Sequence, residues 1–210
     1  MTPGPADPSD QRPELAGLRI ADPPAQWEAL GFAVEASRLE LGGIQIELGG
    51  AGRGITGWTL RHVPSIAELD GLATTTTEAP SPQRHRHPNG CVGIDHLVVT
   101  TPDFDRTAQA LVEVGMSLRR IRDAGSFRQG FRRLGPAILE LVEARGAPPG
   151  PASFWGLVVV CEDLEALSGR ISPHLGPIRA AVQPGRKIAT LAASAGLSPQ
   201  VAFMDPDPKR

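Results

Sequence analysis

Short apolar runs punctuated by Gly, Pro and Asp recur along this 210-residue chain, and their spacing predicts strands joined by a few short helices. The clearest run is Gly93-Ile94-Asp95-His96-Leu97-Val98-Val99-Thr100-Thr101, a buried strand ending at a helix start, Pro102-Asp103. Phe104, Ala108 and Leu111 follow at helical spacing, with Gly115 as the stop. Strands are then expected over 117–122, 127–134 and 138–142, before a Pro/Gly hinge over 146–151. The order is β-α-β-β-β.

The same grammar returns further on. At an offset of sixty residues, Leu97, Val98, Val99 and Asp103 match Leu157, Val158, Val159 and Asp163. Strands are expected over 178–182, 188–192 and 200–204, so residues 91–146 and 152–206 form a duplicated pair. Residues 17–72 read as a degenerate copy. It has a strand Leu18-Arg19-Ile20-Ala21, then a short helix with Asp22 as cap, Pro23 as its first residue, and Trp27 and Leu30 as its stripe. Three strands follow, over 33–40, 44–48 and 55–63. Residues 1–16 read as a polar tail. Residues 73–90, with four threonines, three prolines and Arg84-His85-Arg86-His87, read as a linker.

Composition narrows the function classes. The formal net charge is −2, so no global field favours nucleic acid. The N-terminus lacks a secretory core, and no run suits a membrane span, which predicts a cytoplasmic protein. Arg supplies nearly all the positive charge; with abundant Ala, Gly and Pro this suggests a GC-rich bacterial genome. Cys91 and Cys161 lack metal-type spacing. Two reduced thiols are the favoured reading, and a disulfide between them stays open.

Two residues stand out chemically. His96 lies inside an apolar strand, and Glu140 lies inside another, Ile138-Leu139-Glu140-Leu141-Val142. A buried charge without a partner costs several kcal/mol, so such positions usually carry a partner or a task.

The repeat, opened by Ile-Asp-His-Leu-Val-Val and closed by Ile-Leu-Glu-Leu-Val, resembles the vicinal oxygen chelate superfamily, which includes glyoxalase and bleomycin-resistance proteins. The likeness is good over 90–205 and weaker over 18–63. It implies an α+β glyoxalase-like fold whose paired units form a cup. It also implies metal-ligand positions at His96 and Glu140, for Zn, Ni, Mn or Fe. The third unit departs from that pattern: His96 aligns with Gly156 and Glu140 with Ala202, so two of four ligands are missing.

Other candidates are weaker. His62, on the strand face of Trp58 and Leu60, completes a site only if that face lines the cup. His85 and His87 read as solvated linker residues, and His174 as a helix-end or surface group. Trp155 and Phe154 read equally as core or cavity lining, with Gly156 leaving room for a ligand. Either Phe131 or Arg132 faces the cup, and Arg186 sits in a turn from which it reaches either the rim or only water. The loop over 49–54 does not precede a helix and fails the test for a dinucleotide loop.

Three readings follow. The first is a cup that binds a small organic molecule with an incomplete metal site, lined by Phe131, Trp155, Arg132 and Arg186. The second is an enzyme in which His96 and Glu140 hold a divalent metal or act as an acid/base pair on a carbonyl or vicinal-oxygen substrate. The third gives the first unit an interaction role, docked on the others or forming a homodimer.

Overall fold

The computed structural model describes residues 12–123 and 125–208. The first half holds β1 (Glu14–Ile20), α1 (Pro24–Ala29), β2 (Arg38–Leu41), β3 (Ile44–Leu48), β4 (Ile55–Arg61), β5 (Glu68–Leu69) and β6 (Leu72–Thr76). The second half holds β7 (Cys91–Thr101), α2 (Phe104–Glu113), β8 (Arg120–Asp123), β9 (Arg128–Leu134) and β10 (Ala137–Glu143). It continues through β11 (Ser153–Cys161), α3 (Leu164–Ile171), β12 (Arg179–Ala180), β13 (Lys187–Thr190) and β14 (Gln200–Met204).

The second half forms one eight-stranded mixed sheet in the order β12-β13-β14-β11-β7-β10-β9-β8. Its two quarters are related by a pseudo-twofold between β7 and β11. Those strands run antiparallel, and Leu97 faces Leu157 in the register. Each unit opens its helix in the same way: Asp103 caps α2 by accepting from the Arg106 N–H (3.0 Å), and Asp163 caps α3 by accepting from Ala166 (2.8 Å). Gly115 ends the α2 turn at φ +78°, a conformation that suits glycine.

The first half differs from the single β-α-β-β-β unit expected over 17–72. Its six strands run β2-β3-β1-β4-β6-β5. β1 pairs parallel with β3 on one side and antiparallel with β4 on the other, and β4 pairs parallel with β6. β4 is thus the opening strand of a second, helix-less half-unit, related to β1 much as β11 is to β7. The expected linker over 73–90 gives β6 its residues up to Thr76, and the expected tail over 1–16 contributes to β1 from Glu14. Residues 1–11 of that tail lie outside the described residues. Asp22 does not cap α1, whose cap residue is Pro23. It is buried and accepts instead from Ser198 N–H (3.0 Å), tying the first sheet to the loop before β14.

The two sheets share one apolar core. Trp58 meets Phe154 edge to face (5.5 Å), and Phe32 stacks on Phe203 (6.5 Å), each pair bridging the halves. Trp58, Phe32 and Phe203 are buried, and burying a large apolar side chain fully stabilises a fold by about 1.5–3 kcal/mol relative to exposure; Phe154 is half-buried. Leu97, Val99, Leu139, Leu141, Leu157 and Val159 point into this core, which leaves the alternate residues of the same strands on the opposite face.

Candidate functional site

His96 lies on that opposite face, and a bulge gives it a companion. Val158 pairs with His96 and Val159 with Ile94, so Asp95 is an extra residue in β7. An extra residue breaks strict alternation and lets neighbours point the same way. As a result His96 Nδ1 and Asp95 Oδ2 come within 2.5 Å. The ring N–H is not aligned on the carboxylate as a hydrogen bond, and both atoms are left without one. The other carboxylate oxygen of Asp95 is 2.8 Å from Arg186 Nη1, and Arg186 Nε donates to the Asp205 carbonyl (2.7 Å).

Glu140 is on the same face. The parallel register of β10 on β7 sets Ile138 opposite His96 and Glu140 opposite Val98, so His96 and Glu140 are diagonal neighbours. Gln129 Nε2 donates to Glu140 Oε1 (2.7 Å), and Phe131, directly across from Glu140, meets the His96 ring edge to face (6.3 Å).

The electrostatics separate the two carboxylates. Burial pushes the Glu140 carboxyl up from its ordinary value, and the nearby His96 offsets only part of that. Burial also works against the Asp95 charge. The contacts from His96 and Arg186 outweigh it and hold that carboxyl below the usual range. Among the described residues, six buried side-chain nitrogen or oxygen atoms have no hydrogen-bond partner. Three of them, Asp95 Oδ2, His96 Nδ1 and Arg186 Nη2, belong to this cluster. Native interiors leave few such atoms without a hydrogen bond, and half of those found here gather at this one cluster.

The metal expectation meets a steric obstacle. By the pseudo-twofold, His96 corresponds to Gly156. Glu140 lies opposite Val98, and Ala202 lies opposite Val158, so these two also correspond. Neither Gly156 nor Ala202 has a ligating side chain. A Cβ on Gly156 would stand 2.1 Å from the Gln200 carbonyl oxygen, so no ligating side chain fits there. The room expected beside Gly156 is therefore filled by backbone. Among the described residues, no cluster of three or more His, Cys, Asp or Glu side chains is placed to hold a metal ion. The donor set does not fit the Zn, Ni, Mn or Fe centre that the resemblance implied.

The remaining candidates scatter. Arg132, expected with Phe131, is on the other face: Phe131 shares its side with Gln129, while Arg132 bonds the Gly115 and Ser117 carbonyls (3.2 and 3.3 Å). Alternation along β9 forces that split. Trp155 is skipped by the β7·β11 register and stands exposed beside Gly156, whereas Phe154 joins the core. Trp58 and Leu60 are in the core, so their face of β4 does not line the site, and His62 follows the end of that strand. His174 approaches Ser194 (3.2 Å) and is partly exposed. His87 is buried and structural. Its Nδ1 accepts from the Ala33 N–H (3.0 Å), which leaves Nε2 to donate to the Glu40 carbonyl (2.6 Å). Asp95 and Gln129, which contact His96 and Glu140, are the members of this cluster that sequence reasoning passed over. Adjacency to His96 was the only signal for Asp95, and cross-strand pairing distance was the only one for Gln129.

No family model matches the sequence, and no curated protein matches it. Solved structures resemble it. A 4-hydroxymandelate synthase mutant from Streptomyces coelicolor superposes with TM-score 0.62 at 12% identity, covering 94% of this chain and 93% of that one. A xylose isomerase-like TIM barrel/4-hydroxyphenylpyruvate dioxygenase fusion protein gives TM-score 0.64 at 12% identity, covering 93% of this chain and 49% of that one. Methylmalonyl-CoA epimerase from Mycobacterium tuberculosis gives TM-score 0.45 at 17% identity over 57% of this chain and 91% of its own. At 12% identity, the two matches with TM-scores above 0.6 are likenesses of fold alone. The α+β chain, with its two mixed sheets and its duplicated second half, has the glyoxalase/bleomycin-resistance-like fold of the vicinal oxygen chelate superfamily.

Proposed function

We propose that the His96–Glu140 face of the eight-stranded sheet binds a small, partly apolar organic anion and does so without a resident metal. The single observation that carries the reading is the Gln200 carbonyl against Gly156, which closes one of the four family ligand positions. What remains suits a binding surface. Val98, Val158 and Phe131 supply apolar contact, and Gln129, His96 and Glu140 supply polar anchors. Cations stand at both margins: Arg120 and Arg122 pair across from Phe131 and Gln129, and Arg179 pairs across from Ile188. Trp155 is exposed beside this face and available to a ligand.

Thermal-shift titration of the purified chain with a panel of aliphatic and aromatic carboxylates tests this. A saturable upward shift that disappears in Phe131→Ala and His96→Ala is expected. Failure of the whole panel to stabilise the wild type overturns the binding reading. Zinc, nickel, manganese or iron retained in stoichiometric amount through dialysis against a chelator overturns the metal-free part.

A second reading is favoured by one observation, the raised Glu140 carboxyl. A carboxyl whose pKa burial raises, diagonal to an imidazole on the same sheet face, is suited to move a proton at a carbon next to a carbonyl. On this reading Glu140 exchanges the proton, Gln129 orients it, and His96 supports the developing oxyanion. Deuterium exchange into an oxo acid that the chain binds, lost in Glu140→Gln, separates catalysis from binding. No helix among the described residues is long and apolar enough to cross a membrane. A cytoplasmic location and a homodimer belong to the same proposal. Exposed Ile121, on the edge strand β8, is the surface that supports the dimer.

A further inference from the structure

A cavity of about 500 Å³ lies on the seam between the two halves, where the chain leaves β1 and where it enters β14. Asp22, Gln26 and Arg53 line it from the first half, and Leu191, Leu197 and Val201 from the second. Its walls are pinned to each other. Ser198 Oγ accepts from the Gly54 N–H (2.6 Å), while its own hydroxyl and N–H both donate to the Asp22 carboxylate. Asp22, the one carboxylate of the lining among the described residues, is taken up by those bonds. Two polar groups are left over. Gln26 Oε1 is buried with no hydrogen-bond partner, although an amide oxygen can accept twice. Arg53 is exposed on the glycine-rich loop, and among the described residues it has no ion pair. Leu191 and Val201 are buried and give the cavity an apolar floor.

We propose that this seam cavity binds a small N-acylated amino acid with an aliphatic side chain. The three features of its wall call for three groups in one molecule. The Arg53 fork takes a carboxylate, Gln26 Oε1 takes an N–H, and Leu191, Leu197 and Val201 take the side chain. An acylated amino acid carries all three on one carbon atom. A free amino acid would set its ammonium near the Arg53 charge, so the acylated form is preferred. Rotation of the Gln26 side chain brings Oε1 to the ligand without moving the backbone. The walls that Ser198 already ties together need no ordering when the ligand enters, which favours binding. The volume lies in the range of small-molecule sites. His96, Gln129, Phe131 and Glu140 do not line this cavity, so it is independent of the binding face proposed above.

Isothermal titration with N-acetyl-L-leucine tests the proposal. It is run on the full chain carrying His96→Ala, or Phe131→Ala if the first variant melts early, so that the other face does not supply the signal. Saturable one-to-one binding is expected, weakened about tenfold by adding Arg53→Gln and about fivefold by adding Gln26→Leu. Arg53 is exposed, and Gln26→Leu removes an unpaired buried acceptor, so both variants keep the fold, and an unchanged melting temperature verifies it. Two further probes need no variant at the seam. N-acetyl-L-leucinamide lacks the carboxylate and 4-methylpentanoate lacks the N–H, and each should bind several-fold more weakly than N-acetyl-L-leucine. Absence of saturable binding overturns the proposal. So does equal affinity for the three probes, or affinity unchanged by both seam substitutions.

Discussion

Buried Arg186 and half-buried Asp95 form an ion pair that holds the bulge of β7 against the turn before β13, with Nη1 and Oδ1 2.8 Å apart. The pair fixes the carboxylate that in turn flanks His96. Removing Arg186 leaves the Asp95 carboxylate with His96 as its remaining partner, and stripping one partner from such a pair costs up to about 3–5 kcal/mol. Arg186→Leu is therefore expected to lower unfolding free energy in urea by about that amount. The double variant Asp95→Leu/Arg186→Leu should recover most of it. Equal stability of the single and double variants would mean the ion pair does not hold the bulge.

Glu140 makes stability depend on pH in a definite direction. Its folded carboxyl binds a proton more tightly than the unfolded one, because burial raises its pKa. Between the ordinary carboxylate range and the raised value, the native state keeps a proton that the unfolded chain releases. Stability therefore falls as pH rises through that window and levels off above it. Glu140→Gln removes this fall. Urea unfolding at several pH values should show the wild-type and variant curves diverging across the window. Parallel curves would contradict the burial assigned to Glu140.

His87 bridges two backbone groups from inside the segment read as a linker, and the Phe32 ring packs edge-on against it (5.3 Å). His87→Ala strands the Ala33 N–H and the Glu40 carbonyl and leaves a cavity, an expected loss of roughly 2–4 kcal/mol. His85 contributes only its backbone N–H, to the Glu40 carboxylate (2.7 Å), so His85→Ala should change stability by less than about 0.5 kcal/mol. Thermal melts of the two variants make the comparison.

Cys91 and Cys161 face each other across β7 and β11, and both are fully buried and free. Burial pushes the Cys91 thiol far above its ordinary range, with Cys161 adding to the shift. Neither thiol should react with an aromatic disulfide reagent in the native protein, and both should react at once in denaturant. Rapid release of the coloured thiolate from native protein would refute this.

The second half was legible because its signals are local and repeated. Asp103 and Asp163 announce their helices within a few residues, and the match of Leu97 with Leu157 becomes the contact at the pseudo-twofold. The first half was not, because nothing local distinguishes a closing strand from an opening one. Ile55–Arg61 alternates in the same way whether its partner is β3 or β1. The site shows the same division. That His96 and Glu140 share a face follows from pairing repeats. That Asp95 joins them follows from one inserted residue, and period-two reasoning assumes an unbroken pleat. His87 was misread because a Pro-rich, charged stretch looks solvated until the groove that receives its imidazole is known.

The Gln200 carbonyl beneath Gly156 makes the asymmetry of the sheet hard to reverse. A side chain there displaces a backbone strand rather than a neighbouring side chain. No single substitution therefore turns this chain into a four-ligand metalloprotein. A designer seeking that centre must first move β14 outward, and any natural descendant would face the same order of events.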